Sequence, residues 1–151
     1  MNDSLIRLLI LVHLAATLFM TGIIWFVQIV HYPLFVSIGS LEFPEYEQRH
    51  ASRTTWVVAP PMLVEGVSAL LLCWFQPQPV STWQLWAGLA LVCVIWFSTA
   101  VLQVPCHEAL ARGADPAIQH RLTSTNWIRT AAWSLRGMLA LWITWSLMGE
   151  T

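Results

Sequence analysis

The sequence predicts an all-α integral membrane protein, a four-helix bundle built from two tandem helical hairpins that run parallel to each other. Three observations predict it. Apolar residues make up 57% of the 151 residues, charged ones only 10%, and mean hydropathy is +0.62, which is more apolar surface than a soluble domain of this size needs. Four stretches, residues 5–30, 56–75, 83–102 and 127–148, have the roughly 20 residues that a helix needs to cross a bilayer. Ten Trp stand against two Tyr, and indoles favour the headgroup level. The length leaves room for one domain, residues 1–151. All seven cationic side chains are Arg, so Schiff-base chemistry is excluded, and no basic run points to nucleic acid.

The first span is too long for a signal-peptide core and has no small-residue cleavage site after it, so it reads as a retained helix. His13, Thr17, Thr21 and Gln28 recur along it at helical spacing and form one polar face that should look into the protein. A long loop follows, in which Phe43-Pro44 opens a polar helix running into Trp56. Pro60 and Pro61 lie one turn inside the second span and should kink or wet it. After the short turn at 76–82 comes the third span, which Pro105 is expected to end. A second long loop leads to Asp115-Pro116, another polar helix and Trp127, where the fourth span begins.

Arg49, Arg53, Arg112 and Arg121 fall in the long loops and none in the short one. The positive-inside rule then puts the long loops in the cytoplasm and both termini on the periplasmic side of a bacterial inner membrane. A shift of 71 residues lays Gln48 on Gln119, Thr54 on Thr125, Trp56 on Trp127 and Gly66 on Gly137. The same shift lays Glu65 on Arg136, which suggests an internal repeat about an axis along the membrane normal.

Glu65 lies about 14 Å into the second span, and a carboxylate there needs an opposite charge. Arg136 reaches the same depth in the fourth span, so the two are expected to form an ion pair, either catalytic at the edge of a cavity or locking the bundle. If the halves have similar surroundings, exchanging the two charges should restore much of what either single loss costs. Arg129 stands on the face of Arg136 with Trp133 between them. This second arginine calls for an anionic ligand or lipid headgroup, unless it snorkels to the interface. His13 reads as a heme ligand, a proton relay or a hydrogen-bonded core residue. His31, His50, His107 and His120 gather toward the cytoplasmic end, but their spacing is not that of a zinc site. Cys73, Cys93 and Cys106 match no metal motif and lie too far apart in depth for a disulfide.

Trp25-Phe26, Pro33 with a following Leu-Phe, the earlier His13, and Asn126 and Arg129 at the start of the last helix carry a resemblance. The chain resembles the small bacterial four-helix membrane proteins around the heme-containing protoporphyrinogen IX oxidase family, and is similar to anthrone oxygenase-like proteins. That resemblance implies a four-helix membrane fold, redox chemistry, and His13, Asn126 and Arg129 as positions near a ligand. Leu34 stands where that family has an arginine. The expected function is therefore a membrane protein with a polar cavity lined by His13, Glu65, Arg129 and Arg136, binding heme, a porphyrin or a quinone-like molecule. A small-molecule or proton-coupled carrier and a non-catalytic assembly protein, with or without self-association, stay open beside it.

Overall fold

The computed structural model describes residues 2–148 and is 88% helical with no strand among them. Helix α1 (Asp3–Phe26) runs into a π-turn at Val27–His31 and a 3₁₀ turn at Pro33–Ser37; α2 (Phe43–Phe75) follows. Helix α3 (Thr82–Ser98) leads through a second π-turn, Thr99–Gln103, into the short α4 (Val104–Leu110), and α5 (Pro116–Met148) closes the chain. Local chemistry sets the starts. The Asn2 side chain accepts from the Leu5 N–H, Ser81 and Gln84 form a capping box, and Asp115 Oδ1 accepts from the N–H groups of Ala117 and Ile118 ahead of α5.

The stretches read as long loops are mostly helix. Helix α2 begins at Phe43, with Pro44 in its first turn, and continues without a break through Pro60 and Pro61. Pro105 does not end the third helix either. The helix runs on through the π-turn, and Pro105 stands just past it in the first turn of α4.

Three helical segments, Asp3–Ser37, Phe43–Phe75 and Thr82–Leu110, are long and apolar enough to cross a membrane. Helix α5 is as long as α2 but, with its arginines, is not among them. Large apolar side chains stand on the outside, and polar ones lie among the apolar residues of the interior. Trp74 is 82% exposed, Trp145 75% and Phe97 70%, while His13, Thr17, Glu65, Ser68, Asn126, Arg129, Thr130 and Arg136 are buried. That distribution suits a hydrocarbon surround, with polar groups enclosed where protein partners can satisfy them.

The four long helices form a ring. α1 packs against α2 and α5, and α3 packs against the same two, so α2 and α5 sit diagonally. Gly66 lets Trp96 of α3 come so near that a Cβ would stand 3.0 Å from its ring, and a Cβ at Gly137 would stand 3.2 Å from Thr21 Oγ1 of α1. Apolar clusters fill three levels of the ring. Ile10, Leu72, Leu85 and Ile143 occupy one end, Met20, Ile95 and Trp133 the middle, and Phe35, Phe43, Leu110 and Leu122 the other end.

Candidate functional site

The buried charges lie on the axis between the diagonal helices. Arg136 Nε donates to Glu65 Oε1 at 2.7 Å, and Trp133 Nε1 donates to Glu65 Oε2 at 3.0 Å. Arg136 Nη1 donates to the Gly88 carbonyl, while Nη2 is buried with no partner. The equal depth read from the sequence thus corresponds to a direct contact. His13 is one step away. Its Nδ1 lies 2.8 Å from Ser68 Oγ, which donates to the Glu65 carbonyl at 3.1 Å. The space bordered by His13, Gln84 and Arg136 is about 20 Å³, room for one water and not for a macrocycle. The residues present there do not fit a heme.

The larger space is elsewhere, nearer the π-turns. A cleft of about 410 Å³ is lined by apolar side chains such as Met20, Ile24, Val58 and Met62, together with Arg129 and Trp133. Arg129 does not snorkel. It is buried, its Nε and Nη2 donate to Asn126 Oδ1 at 2.9 and 2.6 Å, and its Nη1 donates to Thr99 Oγ1 at 3.3 Å. Its guanidinium carbon stands 6.0 Å from the Trp133 ring centroid. Among the described residues no carboxylate pairs with it. Asn126 is itself held, donating to Gln28 Oε1 at 2.8 Å.

From Arg129 a chain of polar contacts runs along the cleft wall. Arg129 Nη2 donates to the Tyr32 hydroxyl at 3.4 Å, Tyr32 lies 2.9 Å from His107 Nε2, and His107 Nδ1 lies 2.5 Å from Glu47 Oε1. The tautomer of His107 sets the direction of these bonds: with Nδ1–H donating to Glu47, Nε2 accepts from Tyr32, and with Nδ1 unprotonated, Nε2–H donates to the Tyr32 oxygen. His50 joins from α2, its Nδ1 3.0 Å from His31 Nε2 and 3.1 Å from Thr54 Oγ1. His120 alone of the four stays out, exposed beside Ser124.

The structure therefore divides the expected site in two. Glu65, Arg136, Trp133 and His13 form a tightly filled mid-bundle network, whereas Arg129 and Asn126 belong to the cleft. Sequence reasoning gathered His31, His50 and His107 at one end but missed Glu47 and Tyr32, which join them, because these partners lie up to 75 residues away. One signal was present: Glu47 and His50 are three apart on a helix, the Glu-x-x-His spacing that places both side chains on one face. No protein-family model, curated protein or solved structure matches the chain.

Proposed function

We propose that the chain is a membrane-embedded binding site for a lipophilic small molecule that ends in an acidic or phenolic oxygen, oriented for proton-coupled redox chemistry. The observation that carries this is Arg129, a buried cation that no carboxylate among the described residues pairs with, on the lining of a cleft of about 410 Å³ whose exposed wall is mostly apolar but also holds Tyr32, His50, His107 and Glu108. A desolvated guanidinium favours an anionic oxygen strongly, and the volume lies in the usual range for small-molecule sites. The Tyr32–His107–Glu47 contacts beside it supply groups able to accept or return a proton. Below Trp133 the axis is filled by the Glu65–Arg136 pair, which favours a closed binding site over a channel. The kinship with the bacterial four-helix oxidases is part of this proposal. Its support is that Asn126 and Arg129, two positions carrying the resemblance, bond to each other at the cleft.

The test uses the protein in nanodiscs with chelator present. 2-Naphthoate should bind at least about tenfold more tightly than the uncharged 2-naphthamide, since a hydrogen bond to a charged group contributes roughly 1.5–3 kcal/mol. Arg129→Gln should erase the preference. Equal affinity for the two probes, or a preference that survives the substitution, would sink the reading.

The four-helix crossing in two parallel hairpins belongs to the same proposal. It is supported by the matching π-turns, the two 33-residue helices and the paired glycines. With Arg49, Arg53, Arg112 and Arg121 exposed at the cleft end, that end faces the cytoplasm. Reporter fusions at Gln78 and the C-terminus should read periplasmic, and those at Ser40 and Gly113 cytoplasmic. The opposite pattern would place the cleft outside.

A further inference from the structure

We infer that Glu47, His50 and His107 form a binding site for one first-row divalent cation, with its open coordination positions facing the cleft. One ligand atom from each residue lies within 4.8 Å of the other two, and among the described residues no other such group occurs. Ligand atoms bonded at about 2.1 Å to such an ion stand roughly 3–3.5 Å apart, inside this spacing, and the ion takes the place of the hydrogen bond between His107 and Glu47. The ligand types are informative. Two imidazoles and a carboxylate, with further positions left free, suit Fe(II) as well as Zn(II) or Co(II), whereas Ca²⁺ and Mg²⁺ prefer all-oxygen shells.

A second observation points the same way. Glu47 is fully buried, one oxygen meets His107 Nδ1 at 2.5 Å, and the other, Oε2, has no hydrogen-bond partner. A buried carboxylate oxygen left without a donor is costly, and a cation beside it removes that cost. The surroundings also hold the ligands in place. His50 contacts His31 and Thr54, and Tyr32 reaches His107, so the imidazoles are oriented by neighbours in the way metal ligands commonly are. His50 and His107 line the cleft while Glu47 lies behind them, so an ion held here meets whatever the cleft contains. The site draws on observations separate from those that single out Arg129.

The experiment takes the full chain without a histidine tag, purified in detergent, stripped with chelator and titrated with Co(II). One equivalent should bind, giving visible d–d absorption and raising the melting temperature. Glu47→Gln and His107→Ala should each weaken binding by at least about tenfold, while His120→Ala leaves it unchanged. Helical circular dichroism of each variant checks that the bundle has formed. Should a variant fail to fold, the wild-type titration still decides. Wild-type protein that takes up no stoichiometric Co(II), Zn(II) or Fe(II) overturns the assignment, as does undiminished binding in the folded Glu47→Gln, His107→Ala double variant. Naphthoate binding measured in chelator is independent of either result.

Discussion

Glu65→Gln and Arg136→Met, made singly, are each expected to destabilise the bundle by roughly 3–5 kcal/mol, because each leaves a buried charge without its opposite. Both side chains are almost wholly enclosed and 2.7 Å apart, and the space beside Arg136 holds one water at most, which cannot replace the opposite charge. Thermal or denaturant unfolding in detergent measures this, and two single variants that unfold with the wild type would show the charges to be wetted. The double exchange, Glu65→Arg with Arg136→Glu, should now recover little. Similar halves led to the expectation of substantial recovery, but the two surroundings differ. Trp133 directs an N–H at residue 65, and the Gly88 carbonyl faces residue 136. The exchange would set donor against donor and acceptor against acceptor.

Asn126→Leu should cost about 3 kcal/mol, since it removes two charge-assisted bonds to Arg129 and leaves the guanidinium and Gln28 poorly satisfied. Asn126→Asp is the informative partner. Its carboxylate still accepts from Arg129, but the Gln28 amide can donate to it only by giving up its bond to the Thr123 carbonyl, so stability should return part of the way toward that of the wild type. Ligand capture should not return. With Arg129 neutralised by its new neighbour, the preference for 2-naphthoate over 2-naphthamide should disappear. A stable Asn126→Asp protein that keeps the preference would show that the charge of Arg129 is not what selects the ligand.

The helices, their approximate ends and the central ion pair were legible because each follows from counting along a helix. Glu65 and Arg136 lie nine residues beyond Trp56 and Trp127, and equal depth on facing helices makes contact. The polar stripe of α1 was legible for the same reason, with His13, Thr17 and Gln28 all buried. Counting fails where the helix is not α. Tyr32 and His107 each follow a π-turn, and the stretches around them carry too many polar residues and prolines to read as helix. Glu47 and His50 were passed over because a polar helix end looks solvated until α4 is folded against it. For His13 the polar stripe and the resemblance left heme ligand, proton relay and hydrogen-bonded core residue all open, and only packing shows it bonded to Ser68 with little room around it.

The two π-turns bear on how such a cleft arises. Each accommodates one residue more than an α-turn would, and one residue advances a helix by about 100° around its axis. Everything beyond Val27–His31 and beyond Thr99–Gln103 is rotated accordingly, which is how Tyr32 and His107 come to share a wall. In genetic terms the difference is a single codon in each of two helices. A related gene short of that codon at either place would encode the same bundle with the same ion pair, but with the Tyr32–His107 contact broken and one side of the cleft turned outward.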